Sequence, residues 1–83
     1  MRLRKIGSNM SEVEVSGNFI LFSYETPVAG RSINQEGEGF FKTSTKYSVT
    51  TTKHITQYFK SEWSISAKEV PEVSQEFING LVA

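Results

Sequence analysis

Few residues in this chain could do chemistry. His54 is the sole histidine, and cysteine and aspartate are both missing from the 83 residues. Without cysteine there is no thiol nucleophile, no thiolate metal site and no disulfide. One histidine with no Cys, Asp or second His to pair with makes neither an acid–base couple nor a metal site. His54 therefore reads as a helix-surface or half-buried side chain. Glu12 and Glu14 could pass for a carboxylate pair, but on a strand that spacing places both on one solvated face. No nucleophile motif, phosphate-binding glycine loop or metal-ligand cluster occurs. The expectation is a protein that is not an enzyme, with no catalytic residue, no metal and no cofactor.

Binding chemistry remains. Residues 40–60 hold Lys42, Lys46, Lys53 and Lys60 and no acid, interleaved with Phe40, Phe41, Tyr47 and Tyr58. Lysines that contact phosphates beside rings that stack on bases are what single-stranded nucleic acid binding uses. Lys42, Lys46, Lys53, Lys60 and Tyr47 are the candidate contacts for single-stranded RNA or DNA. The plainer reading is that the rings are core and the lysines keep the surface soluble, because alternating strands always interleave the two. A second candidate surface is Phe19 and Leu21. They share a strand face with Glu12 and Glu14 while Ile20 and Phe22 occupy the other, so this strand is apolar on both sides. Such a strand sits in a closed barrel, under a helix or against another subunit. That pattern predicts a homo-oligomer or a host-protein contact through Phe19 and Leu21. Gly37 and Gly39 read as a flexible connection more readily than as a binding loop.

Composition narrows the setting. Lys and Arg balance Asp and Glu, for a formal net charge of zero, which argues against bulk polyanion binding. Charge is nevertheless segregated: a basic start, an acidic stretch 11–38, the basic 40–60 and an acidic tail. No apolar run approaches the roughly 18 residues of a membrane span. The opening MRLRKIGSNM has charge but no apolar run after it, unlike a secretory signal. A cytoplasmic protein without a membrane partner is expected, with residues 1–83 forming one small β-rich domain.

The clearest local signal is a hairpin at Gly17-Asn18, joining strands over Met10–Ser16 and Phe19–Thr26. Its register would put Val13, Val15, Ile20, Phe22 and Tyr24 on the core face. Pro27 ends or bends the second strand, and Val28–Ile33 reads as a third, weakened by Gly30. Asn34–Gly39 reads as a flexible loop. Phe40–Thr52 is expected to form a second hairpin turning near Ser44-Thr45. The period then changes to helical over Thr52–Ser61, with Thr51 or Thr52 as cap. Trp63–Ala67 reads as a brief strand. Pro71 suits the first turn of a last helix carrying Val73 and Phe77, with Gly80 at its C-terminal cap. These elements predict a mostly β fold: a small SH3-like or Sm-like barrel of about five short strands, by analogy of shape. The alternative is an open antiparallel α+β sheet packed under two helices.

Two stretches carry a resemblance. Leu21–Ala29, LFSYETPVA, and Lys46–Ile55, KYSVTTTKHI, resemble a family of short, uncharacterised bacteriophage proteins. The flanks LRKIGSNMSEVEV and VPEVSQEFINGL are similar to that family too. The resemblance implies a phage or marine viral origin and action in a host cytoplasm, and it carries no assigned catalytic or binding residues. The function expected is a phage-type binding module, with a host-directed interaction factor or a minor virion component as alternatives.

Overall fold

The computed structural model describes residues 2–15, 17–32 and 39–82. Six strands form one sheet in simple chain order. They are β1 (Arg2–Gly7), β2 (Met10–Val15), β3 (Asn18–Ser23), β4 (Thr26–Ser32), β5 (Phe40–Thr43) and β6 (Glu72–Val73). Neighbours run antiparallel except β5 and β6, which are parallel. Between them lie helix α1 (Val49–Tyr58), a π-helical turn Phe59–Trp63 and a 3₁₀ turn Ala67–Glu69; helix α2 (Gln75–Val82) ends the chain.

The sheet is open and not closed into a barrel, so the SH3-like and Sm-like analogy is corrected to the sheet-and-helices alternative. A helix packs on each face. On one side Leu21, Ala29 and Met10 meet Ile55, Tyr58 and Phe59 of the α1 region. On the other Ile20 and Phe41 meet Ile78 and Phe77 of α2. This explains why Phe19–Phe22 is apolar on both sides: successive residues feed opposite cores. Ile20 and Leu21 are both 0% exposed, and burying each contributes roughly 1.5–3 kcal/mol.

The first hairpin forms with a different turn. Val15 pairs with Asn18, so Asn18 belongs to the strand and not the turn, and Gly17 takes φ 82°. Asn18 is buried as the first residue of β3. Val13 therefore lies opposite Ile20 and not Phe22. A shift of two residues keeps Val13, Val15, Ile20 and Phe22 on one face, but Tyr24, expected beside them in the core, lies beyond the strand and is 53% exposed. β3 stops at Ser23, short of Thr26, because Tyr24-Glu25 turns the chain with Tyr24 at φ 59°. The Tyr24 N–H donates to the Asn9 carbonyl at 2.7 Å and holds that turn against the neighbouring one.

Pro27 lies within β4 and does not end a strand. Leu21 pairs with Ala29 but Phe22 with Pro27, leaving Val28 as the extra residue of a bulge. A bulge in a central strand accommodates a residue without an N–H. Two positions on, a Cβ on Gly30 would lie 2.0 Å from the Phe19 carbonyl oxygen, so this strand crossing requires glycine. The expected loop Asn34–Gly39 falls outside the described residues except for Gly39.

The second hairpin is not formed. After β5 the chain leaves the sheet, and the free side of β5 pairs with β6, distant in sequence. Ser48 accepts from the Thr51 N–H at 3.1 Å and starts α1 at Val49, ahead of the expected Thr52. No strand forms over Trp63–Ala67: Trp63 ends the π-helical turn, Ser64 turns left-handed at φ 54° and Ala67 opens the 3₁₀ turn. Pro71 precedes β6, its carbonyl accepting from the Lys42 N–H at 3.1 Å. Val73 is in β6, not on the last helix, and Gly80 lies inside α2 and does not cap it.

Candidate nucleic-acid interface

β5 delivers Lys42 to the α1 face of the sheet, opposite Ala29 on one side and Glu72 on the other. Its ammonium donates to the Ala67 carbonyl at 2.7 Å, which fixes the side chain and leaves further N–H donors. The segment between β5 and α1 carries Lys46 and Tyr47. It is shaped at its start by Thr43, whose hydroxyl accepts from the Thr45 N–H at 3.1 Å and donates to Gln75 Oε1 at 2.7 Å. Ser48 closes it as the helix cap, and the first turn of α1 holds no acid. The result is a cleft of about 290 Å³ whose walls include Lys42, Lys46, Tyr47, Thr52, Thr56 and Glu72. Tyr47 is 47% exposed, open enough for a base to stack on it. Glu72 is the one acid in that lining and opposes an incoming phosphate.

The structure thus brings together Lys42, Lys46 and Tyr47 of the residues expected from sequence. Lys53 and Lys60 are exposed and do not line the cleft. Their spacing of seven puts them on one side of the helical segment, facing away from the buried Thr51, Ile55 and Tyr58. Of the interleaved rings, Phe41 and Tyr58 are core and Phe40 packs edge-on against Phe59 and Trp63.

Phe19 and Leu21, expected at a partner contact, are placed differently from each other. Leu21 is fully buried beneath the α1 region. Phe19 is half-buried, its ring edge-on to Trp63 at 5.8 Å. Arg31, opposite both Phe19 and Phe40, lies over the Trp63 ring at 5.2 Å.

Two polar clusters were not foreseen. Glu12 was expected on a solvated face but is 7% exposed. It accepts from Arg4 Nη2 at 3.0 Å and from the Tyr58 hydroxyl at 2.7 Å, and Arg4 also bonds Glu62. Burial, and next the bond to Glu12, push the Tyr58 hydroxyl well above its ordinary pKa. The hydrogen bond that Arg4 donates to Glu62, followed by the charge of Glu12, holds its guanidinium above the usual pKa. Arg4 stands directly opposite Glu12 across β1 and β2, and that cross-strand charge pairing was the available signal.

The second cluster is around His54, which is buried and not on the helix surface. Ser23 Oγ lies 2.7 Å from His54 Nδ1 and 3.2 Å from Thr51 Oγ1. A serine hydroxyl beside an imidazole is the start of a nucleophile–base couple. Here Ser23 is only 2% exposed, and its hydroxyl meets side chains of α1. The pair fastens β3 to α1. Their separation of 31 positions along the chain left no sequence signal. Among the described residues no group of three or more His, Cys, Asp or Glu is placed to hold a metal ion. Among them also, no helix is long and apolar enough to cross a membrane.

An open mixed sheet, mostly β, with one helix on each face and a lysine–tyrosine cleft beside β5 is the class that fold and site define. A family model described as a family of unknown function (DUF8033) matches residues 1–80, and the chain belongs to that family. No curated protein and no solved structure matches the chain.

Proposed function

We propose that this protein is a non-catalytic binding module for single-stranded RNA or DNA. The observation that supports it is the convergence of Lys42, Lys46 and Tyr47 on one cleft. Two ammonium groups meet successive phosphates while the Tyr47 ring takes a base between them. Lys53 and Lys60, on the outer side of the helical segment, add charge that steers the strand without gripping it. The resemblance to short phage proteins supports a phage-type origin and action in a host cytoplasm as part of the same reading. Assembly into a small oligomer keeps less support, since α1 covers Leu21 within one chain.

Fluorescence polarisation with labelled single-stranded RNA and DNA oligonucleotides tests the proposal. Neutralising two phosphates of a single strand gives a slope of log K on log salt of about −1.4. Affinity at low salt that falls with that slope, and weakens on Tyr47→Ala, supports the reading. Absence of binding at low salt removes it.

A further inference from the structure

Where β3 meets the start of α1, four polar side chains stand in a row. Ser48 Oγ donates to Thr51 Oγ1 at 3.2 Å, Thr51 Oγ1 lies 3.2 Å from Ser23 Oγ, and Ser23 Oγ lies 2.7 Å from His54 Nδ1. Ser48 is exposed, while Thr51, Ser23 and His54 are buried. A hydroxyl has one proton to give. Ser48 gives its proton to Thr51, which leaves the Thr51 proton for Ser23 and the Ser23 proton for Nδ1. All three hydroxyls thus donate inward, Nδ1 accepts, and the ring proton of neutral His54 sits on Nε2. Ser48 Oγ also accepts from the Thr51 N–H and so caps α1.

We infer that this row is a proton relay that ties the charge of His54 to the cap of α1. When Nδ1 gains a proton it becomes a donor, and Ser23 can no longer donate to it. Each hydroxyl proton then moves one place inward: that of Ser23 to Nδ1, that of Thr51 to Ser23, that of Ser48 to Thr51. Ser48 takes a replacement from solvent, so protons balance. The row now donates outward along its whole length. No member loses a partner, so the ring can charge without breaking the contact between β3 and α1. Ser48 Oγ then accepts from both the N–H and the hydroxyl of Thr51 and turns its own proton to solvent. The cap is shared between two donors, and the start of α1 shows solvent a donor in place of an acceptor. Thr51 also lines the lysine cleft, so the relay reaches that wall whatever the cleft binds.

Other ionisable groups lie on the elements packed here. Tyr24, in the turn after β3, tilts over the His54 ring at 5.8 Å, and Glu25 follows it. Tyr58, one turn along α1, is bonded to Glu12 of β2, and Lys53 is exposed. None of them forms an ion pair with His54 among the described residues. Imidazole is the side chain that changes charge between about pH 5 and 8, so acid sets the relay outward and alkali sets it inward.

NMR of the isotope-labelled full chain between about pH 8 and 5 tests the relay. At the alkaline end the ring nitrogens should report the proton on Nε2. Through the titration the Ser48 and Thr51 amides should shift with the same midpoint as the ring. The field of a charged ring alone would also move them, and Thr51→Val, similar in shape but without the hydroxyl, separates the two causes. In that variant the ring should still titrate while the Ser48 amide loses most of its shift. Ser23→Ala cuts the row from the strand side and should give the same loss without touching α1. A neutral ring with its proton on Nδ1 overturns the inference. So does a Ser48 shift that survives both substitutions. Loss of amide dispersion before the ring charges overturns it too, because the row would then break and not reverse.

Discussion

The Tyr58 hydroxyl donates to Glu12 Oε2 across 2.7 Å, although the two stand 46 positions apart in the chain. This bond joins the last residue of α1 to the middle of β2 and lies against the Arg4–Glu62 contact. A buried carboxylate that loses a donor keeps its desolvation cost. Tyr58→Phe should therefore destabilise the fold by about 1–3 kcal/mol, read as a shift in the urea midpoint.

The same hydroxyl sets an alkaline limit. Its folded pKa lies above the ordinary value of 10.0. Above that pH the unfolded chain gives up this proton while the folded one keeps it. Stability from this group is whole below about pH 10 and declines as pH rises, by about 1.4 kcal/mol per unit. Denaturation of the wild type and of Tyr58→Phe between pH 8 and 11 (about the tyrosine range) should show the wild type losing more.

Two glycines should respond in opposite directions. Gly30→Ala places a methyl 2.0 Å from the Phe19 carbonyl oxygen, where only backbone can yield. A loss of about 3 kcal/mol is expected. At Gly80, inside α2, a Cβ meets nothing within 4 Å. Gly80→Ala should stabilise by about 0.5–1 kcal/mol through helix propensity alone. Thermal melts of the two variants decide the matter, and equal shifts would contradict the strand contact.

Removing the side-chain oxygen of Ser48 should loosen the start of α1. Ser48→Ala is expected to cost about 1 kcal/mol and to speed amide exchange at Thr51. The same change should weaken oligonucleotide binding only slightly, because Ser48 caps the segment without lining the cleft.

The lysines divide into two groups by position. Lys46→Ala should lower the magnitude of the salt slope for oligonucleotide binding by about 0.7, as expected for one lost phosphate contact. Lys53→Ala and Lys60→Ala, outside the cleft, should slow association and leave that slope nearly unchanged. Polarisation titrations at several salt concentrations, with stopped-flow association rates, separate the two behaviours.

The N-terminal half was the more legible from sequence, for a physical reason. Strand periodicity is local, so Glu12-Val13-Glu14-Val15 and Phe19–Phe22 announce their faces without knowledge of the rest. The turn was misplaced by one residue because Gly17 supplies a positive φ, while Asn18 can serve equally in a turn or a strand. Residues 40–52 were misread because threonine and aromatic runs favour strands, while the Ser48 cap and the packing of Ile55 and Tyr58 on the sheet decide for helix. At the site, Lys42, Lys46 and Tyr47 were legible because they lie close together in sequence. The burial of Glu12 and the Ser23–His54 contact were not, since each depends on where α1 docks.

The parallel pairing of β5 with β6 carries a consequence for folding order. β1 to β4 are joined through closing pairs with two positions between them, so their hairpins form from near neighbours. β6 meets β5 only after residues 44–71 have been gathered in, and that closure is entropically dearer than any hairpin. The meander should therefore collapse first as a scaffold, and the lysine cleft should take shape last. A chain only part-way through folding would carry its sheet before it carried its lysine cleft.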